Sequence, residues 1–176
     1  MNERTGLVTM KGQPMTLVGN EVKVGDKAPD FEVTANDLSP VRFSFFKGKI
    51  RILSSVTSLD TSVCSSETKR FNGEAAHLGP YATIITISMD LPYAQKRWAE
   101  KNNITRLHIF SDHRYASFGK AYGVLMKEVR LLARGVFLVD RDDTIKYMEI
   151  VKDGSQEPDY EALLNEVEKL TMAAAG

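Results

Sequence analysis

The feature that most constrains the fold is an alternation of strand-like and helix-like segments through the middle of the chain. The segment 83–89 (Thr-Ile-Ile-Thr-Ile-Ser-Met) is rich in β-branched residues and lies between turn residues, which is typical of a strand. A buried strand is also predicted over 49–55, and a helix over 62–78 lies between the two. Parallel strands need such a crossover, so the pattern predicts an α/β fold with a mixed central sheet and helices on both faces.

The remaining segments extend this plan at both ends of the chain. Residues 7–10 and 15–18 flank a Gly/Pro turn and predict an N-terminal β-hairpin. Residues 129–139 and 145–151 predict a second hairpin near the C-terminus. The other predicted elements are short strands at 31–34 and 107–111 and helices at 92–101, 116–122 and 158–172.

Composition limits the classes of function that this chain can have. Lys and Arg total 23 and Asp and Glu total 23, so the formal charge is zero, which argues against a nucleic-acid binder. No apolar run approaches the ~20 residues of a membrane span, and the N-terminus lacks a signal-peptide pattern. We therefore expect one domain over 1–176, with 1–20 as a hairpin extension, in a reducing cytoplasm.

Cys64 is the only cysteine, and it lies where the strand at 49–55 is followed by the helix at 62–78. The thiolate is the nucleophilic form of cysteine, and the first turn of a helix stabilises an anion through its unpaired N–H groups. Thr61 lies three residues earlier, so its hydroxyl can reach the sulfur, a substrate atom beside it, or the backbone as an N-cap. Cys64 is therefore a candidate nucleophile, with Thr61 as its candidate partner.

A buried structural cysteine is the alternative interpretation, because an unpaired thiol often behaves as a small hydrophobic side chain. Positions 68, 71, 75 and 78 continue one helical stripe from Cys64, which favours packing of this face on the sheet. The residues from 60 to 66 are nevertheless too polar for a core segment. The local sequence thus favours a reactive thiol, and no second cysteine is present to form a disulfide with it within the chain.

Several stretches of this sequence carry a family resemblance. Two of them surround the cysteine: Ser-Leu-Asp-Thr-Ser-Val-Cys at 58–64 and Glu-Thr-Lys-Arg-Phe-Asn at 67–72. The others lie at 24–31, 90–98, 111–114, 131–137 and 157–160. Together they resemble, in order and over nearly the whole chain, the bacterial thiol peroxidases, a branch of the peroxiredoxins.

The resemblance implies a thioredoxin-like fold with an N-terminal hairpin, and a peroxidase that reduces hydrogen peroxide and organic hydroperoxides without a metal or flavin cofactor. The family's peroxidatic cysteine matches Cys64, its threonine matches Thr61 and its active-site arginine matches Arg134. By the same resemblance, Cys64 becomes a sulfenic acid, Arg134 stabilises the thiolate and the leaving oxygen, and Thr61 orients the peroxide. Arg130 lies four residues before Arg134 and would share its strand face, but the motif favours Arg134 and a surface position for Arg130.

Two positions depart from the family pattern. Thr57 stands where the family has a proline. The threonine adds an N–H donor and a hydroxyl, which predicts a looser loop or water at the sulfur and, with either, a changed rate of catalysis. Ala99 stands where many members have a resolving cysteine, either in a natural one-cysteine form or in a variant that lost this thiol. The sulfenic acid must then react with an external small thiol or a thioredoxin-type protein. The family often forms homodimers, so we also expect a homodimer.

Two other functions are alternatives to a peroxidase. A peroxide-sensing relay protein with poor turnover would suit both Thr57 and Ala99. A non-catalytic binding module of the same fold would have no reason to contain Thr61, Cys64 and Arg134 together. A thiol-dependent peroxidase that is reduced by an external thiol is therefore the leading prediction.

Overall fold

The computed structural model describes residues 2–175, and side chains up to residue 172, as strands and helices in alternation. The strands are β1 (Glu3–Met10), β2 (Gln13–Val18), β3 (Glu32–Thr34), β4 (Pro40–Arg42), β5 (Ile50–Ser55), β6 (Ala82–Ser88), β7 (His108–Ser111), β8 (Leu125–Met126), β9 (Leu131–Leu132), β10 (Gly135–Val139) and β11 (Ile145–Ile150). The helices are α1 (Ser62–Leu78), α2 (Pro92–Lys101), α3 (Ser117–Tyr122) and α4 (Tyr160–Ala175), with 3₁₀ turns at Phe43–Phe46 and Gly79–Tyr81.

The central sheet has seven strands in the order β11-β10-β5-β6-β7-β3-β4. The pairs β5–β6 and β6–β7 are parallel, and α1 and α2 form the crossovers between them. The other neighbouring pairs are antiparallel. The predicted mixed sheet is therefore confirmed, and the predicted central strands agree with the observed ones to within one residue at each end.

Helices cover both faces of this sheet, as predicted. On one face, Ile50 and Ile52 of β5 pack in a cluster with Phe71 of α1 and Leu163 of α4. On the other face, Leu53 belongs to a cluster that includes Phe118 of α3 and side chains of the N-terminal hairpin. Successive strand residues point to opposite faces, so a single strand supplies both cores. None of the helices in the described part of the chain could span a membrane.

The N-terminal hairpin is confirmed, and it belongs to a second sheet of four strands in the order β1-β2-β8-β9. β2 pairs with β8, and β8 pairs with β9, so the hairpin is linked to the segment just before Arg134. Residue 1 lies outside the described part.

The prediction of one continuous strand over 129–139 is wrong. Arg130 is exposed in a turn with φ of 55°, β9 then belongs to the four-stranded sheet, and β10 belongs to the central sheet. Arg130 therefore does not share a strand face with Arg134, and its predicted surface position is confirmed. The helix predicted at 116 begins at 117 because Ala116 has the left-handed φ of 50°.

Candidate active site

The first turn of α1 positions Cys64. Thr61 is the N-cap of this helix, with extended backbone angles, and its hydroxyl oxygen accepts a hydrogen bond from the Cys64 N–H at 3.4 Å. The same hydroxyl donates to the carbonyl of Ser58 at 2.9 Å. Cys64 is thus the third residue of the helix, where the unpaired N–H groups stabilise negative charge.

One side of the Cys64 thiol is apolar. Its side chain is fully buried, at 0% exposure, in a cluster with Val56, Leu59 and Ile109. Trp98 and Ala99 of α2 pack against this cluster. The position of the family's resolving cysteine therefore lies in the same small apolar cluster as the thiol.

The other side of the thiol is charged. Arg134 is 2% exposed, and it donates to the carboxylate of Glu67 at 2.5 Å and to the carbonyl of Gly154 at 2.9 Å. Burial lowers the pKa of Arg134, but Glu67 and the nearby Cys64 together outweigh burial, and the pKa is raised. The guanidinium is therefore a permanent cation beside the sulfur. Its Nε has no hydrogen-bond partner within the described residues.

Glu67 is an active-site residue that sequence reasoning missed. Its side chain is fully buried, and it accepts a hydrogen bond from Ser54 at 3.0 Å as well as from Arg134. Burial raises the pKa of Glu67 to about 7, against the opposing effects of Arg134 and Ser54. A signal was present, since position 67 lies one helical turn after Cys64 and one turn before Phe71 on the buried face of α1.

Asp90 holds the loop between β5 and α1 in place. Its carboxylate accepts hydrogen bonds from the Ser58 hydroxyl at 2.8 Å, the Leu59 N–H at 2.9 Å and the Ser88 hydroxyl at 2.7 Å. The carbonyl of Asp90 in turn accepts a bond from the Ser111 hydroxyl. The carboxyl ends of β6 and β7 thus anchor the loop that leads into the first turn of α1.

A cavity of about 330 Å³ opens beside these groups. Three segments surround it: the tip of the N-terminal hairpin, the loop before α1 and the loop after β11. The lining residues are Met10, Lys11, Gly12, Thr57, Thr61, Val63, Arg134, Asp153, Gly154 and Ser155. Thr61 and Arg134, which the sequence analysis named separately, meet at this cavity next to the buried Cys64.

A second, larger cavity of about 550 Å³ lies at the edge of the central sheet, lined by side chains that include Phe45, Phe46, His108 and Phe110. None of Thr61, Cys64 and Arg134 lines it. Size therefore does not identify the reactive site here, because Thr61 at the N-terminus of α1 and the cation of Arg134 line the smaller cavity, and Cys64 lies beside both. Within residues 2–175, no group of three or more His, Cys, Asp and Glu side chains could hold a metal ion.

Thr57 makes a contact that its sequence position did not reveal. Its hydroxyl donates to the carbonyl of Leu132 at 3.0 Å, so the loop before α1 is bonded to β9. The prediction of a looser loop did not take this bond into account. The expected effect on the rate of catalysis stays a prediction.

Comparison with known proteins places this geometry in a family. Residues 23–164 match the family model for Redoxin. The chain is 54% identical over 162 residues to the thiol peroxidase of Oceanobacillus iheyensis, covering 92% of this chain and 98% of that protein. It is 51% identical over 154 residues to the thiol peroxidase of Bacillus subtilis, covering 88% of this chain and 92% of that protein.

Solved structures give the same result for the fold. The crystal structure of a peroxiredoxin-like protein from Aquifex aeolicus superposes with a TM-score of 0.87 at 40% identity, covering 94% of this chain and 98% of that chain. A thiol peroxidase from Chromobacterium violaceum superposes with a TM-score of 0.83 at 19% identity, over 92% of this chain and 95% of that one, and shows the fold alone. The prediction from the sequence stretches is thus confirmed: this chain belongs to the Redoxin family and, within it, to the bacterial thiol peroxidases.

Proposed function

We propose that this protein reduces hydrogen peroxide and organic hydroperoxides with Cys64 as the nucleophile and Arg134 and Thr61 as its partners. One arrangement carries the proposal: a buried thiol in the first turn of α1, beside a buried guanidinium that lines a cavity of about 330 Å³. The helix N-terminus and Arg134 both favour the thiolate. The buried Nε of Arg134, which has no partner within the described residues, leaves a donor for the sulfur or the peroxide.

The first chemical step consumes one peroxide. The Cys64 thiolate attacks one oxygen of ROOH, the S–O bond forms, the O–O bond breaks, and RO⁻ leaves and takes up a proton as ROH. Cys64 is oxidised to a sulfenic acid, and the peroxide is reduced. Arg134 stabilises the negative charge that moves from the sulfur to the leaving oxygen. The Thr61 hydroxyl, at the cavity wall one helical turn from the thiol, orients the peroxide.

The return steps need thiols from outside the chain, because Cys64 is the only cysteine. One thiol attacks the sulfenic sulfur, forms a mixed disulfide and releases water. A second thiol attacks that disulfide, releases a disulfide product and restores the Cys64 thiol. A small thiol and a thioredoxin-type protein are the candidate reductants. A reducing compartment such as the cytoplasm suits this cycle, because it keeps such thiols reduced.

Two kinetic measurements test the proposed function. Stopped-flow fluorescence gives the second-order rate constant of Cys64 with hydrogen peroxide and with an organic hydroperoxide, followed through Trp98, which packs against the Cys64 cluster. Steady-state peroxide consumption with excess dithiothreitol then measures turnover. We expect many turnovers per protein. A single equivalent of oxidation followed by arrest would instead indicate the sensor, and a rate equal to that of free cysteine would contradict both functions.

We also propose that the whole chain acts as one domain and forms a homodimer. The hairpin supports the first point, since β2 pairs with β8 and so joins the N-terminal strands to the body of the protein. Exposed apolar side chains support the second: Leu91 is 59% and Tyr93 is 66% exposed at the start of α2. Sedimentation equilibrium of the protein and of a Leu91→Glu/Tyr93→Glu variant tests it, and a wild-type monomer at high concentration would contradict it.

A further inference from the structure

Arg134 lies where the chain crosses from one sheet to the other. β9 ends at Leu132 in the four-stranded sheet, and β10 begins at Gly135 in the central sheet. Neither ladder includes residues 133 and 134. The backbone that carries the active-site cation is therefore held by bonds from outside the regular pairing.

These bonds can be assigned group by group. The Ala133 N–H donates to the Val124 carbonyl at 2.8 Å, and the Arg134 carbonyl accepts from the Val151 N–H at 2.9 Å. The carbonyls of residues 132 and 133 accept instead from two hydroxyls. Thr57 donates to the first at 3.0 Å, and Ser55 donates to the second at 2.8 Å.

Gly135 provides an independent sign that this contact is close. A Cβ at this position would lie 3.2 Å from the Ser55 hydroxyl and 3.1 Å from the ring of Phe137. Both distances are tighter than an ordinary contact of 3.4–4 Å. A glycine therefore allows the hydroxyl of β5 to approach the carbonyls of the crossing.

We propose that Thr57, together with Ser55, is a positioning residue that holds the Arg134 backbone at the Cys64 thiol. The proposal rests on the proposed function. Thr57 is the more informative of the two, because it also lines the reactive cavity with Thr61 and Arg134. Its hydroxyl joins the loop that leads to Cys64 to the strand that leads to Arg134, so this bond acts with the Glu67–Arg134 pair to set the distance between nucleophile and cation. In this chain a hydroxyl bond thus does the positioning at a place where the family has a proline ring.

The experiment compares three single variants by their rate constants for oxidation by hydrogen peroxide. Thr57→Val keeps the side-chain shape but leaves the Leu132 carbonyl without its donor, and we expect a roughly tenfold slower reaction. Thr57→Ser keeps the hydroxyl and should react within about twofold of the wild type. The matched control is Thr86→Val, a buried threonine of β6 whose hydroxyl has no partner within the described residues, and it should not change the rate.

A double-mutant cycle separates positioning from general loosening of the fold. The background is Glu67→Gln/Arg134→Gln, which removes the buried ion pair without leaving a single unpaired charge. If Thr57 acts through Arg134, Thr57→Val should have no further effect on the rate in this background. An equal loss in both backgrounds, or an unchanged rate in the single variant, would overturn the proposal. A wild-type rate no faster than that of free cysteine would instead reject the proposed function, so the two failures are distinguishable.

Discussion

Two buried arginines, one on β5 and one just before β10, have different surroundings in this protein. Arg51 of β5 is 0% exposed, donates to the Asp140 carbonyl at 2.6 Å and pairs with Asp143 at 2.8 Å. Its guanidinium lies 4.8 Å from the ring centre of Phe43. Arg134 is as deeply buried, but it pairs with the fully buried Glu67 and lies beside Cys64 at the reactive cavity.

The difference shows that burial of a cation does not by itself indicate function. Asp143 keeps a quarter of its side chain exposed, so water stabilises the Arg51 pair at one end. Both side chains of the Arg134–Glu67 pair are buried, so water stabilises neither end of it. Burial raises the pKa of Glu67 to about 7. Burying both members of an ion pair lowers the stability of the fold, because both charges lose their hydration. In return, the guanidinium charge acts on the sulfur with little screening by water.

The largest effect should come from the nucleophile that the Arg134 region contains and the Arg51 region lacks. Cys64→Ser should abolish peroxide reduction while the fold is retained, since a serine hydroxyl does not ionise at neutral pH and cannot form a sulfenic acid. Peroxide consumption and circular dichroism measure the two properties. Residual activity above a few per cent in the purified variant would show that the reactive group lies elsewhere.

Matched substitutions at the two arginines test the comparison directly. Arg134→Lys keeps the charge but loses the planar donor pair, and we expect the peroxide rate constant to fall by about 100-fold. Arg51→Lys should leave that rate within about twofold and lower the free energy of unfolding by about 1–3 kcal/mol, since it loses one of two charged hydrogen bonds. Stopped-flow kinetics and urea unfolding of both variants provide the readouts. Similar kinetic losses at the two sites would erase the distinction.

Two buried carboxyl groups, those of Glu67 and Asp112, make the stability of the fold depend on pH. Because burial raises the pKa of Glu67 to about 7, the folded state binds more protons than the unfolded state between 4.5 and about 7. This contribution to stability is present below pH 4.5 and is lost as pH rises through about 7. Burial likewise raises the pKa of Asp112, from 3.8 to about 6.

Urea unfolding from pH 4 to 8 should therefore show stability falling as pH rises. Glu67→Gln should abolish the slope between about 6 and 7, where only Glu67 of these two groups titrates, and should reduce it between 4.5 and about 6. Asp112→Asn should reduce the slope below about 6 and leave it unchanged between about 6 and 7. A slope that survives unchanged in Glu67→Gln would mean that the buried pair does not titrate in this range.

The sequence predicted the central fold well because its signals are local. A run of β-branched residues marks β6 and a helical stripe marks α1, and the observed bounds of both agree closely with the predicted ones. The prediction of one strand through Arg130 and Arg134 was wrong, because β9 and β10 belong to different sheets. A periodicity of two residues cannot show such a crossing, and strands of two residues, such as β8, give no pattern at all.

The candidate site divides in the same way. Cys64 and its cap Thr61 follow from local sequence, and the resemblance singled out Arg134. The carbonyl of Gly154 and the Thr57–Leu132 bond connect positions that are far apart in the chain, so no local rule finds them. Glu67 was not part of the predicted stripe of α1, but it lies one turn from both Cys64 and Phe71 on the same buried face. An acidic residue at such a position is a signal that a buried cation faces it.

The smallest effect on the first reaction should come from Ala99→Cys. Ala99 packs on the apolar side of Cys64, away from Arg134 and the cavity, so peroxide oxidation should keep its rate within about twofold. The product should change: wild-type protein should gain one oxygen with one equivalent of peroxide, and two or three with a large excess. The variant should instead lose two hydrogens and form an internal disulfide, if the first turn of α1 or helix α2 shifts enough to bring the sulfurs together. Intact-mass spectrometry separates these products, and a Cys64–Cys64 dimer as the main wild-type product would show that a second subunit supplies the resolving thiol.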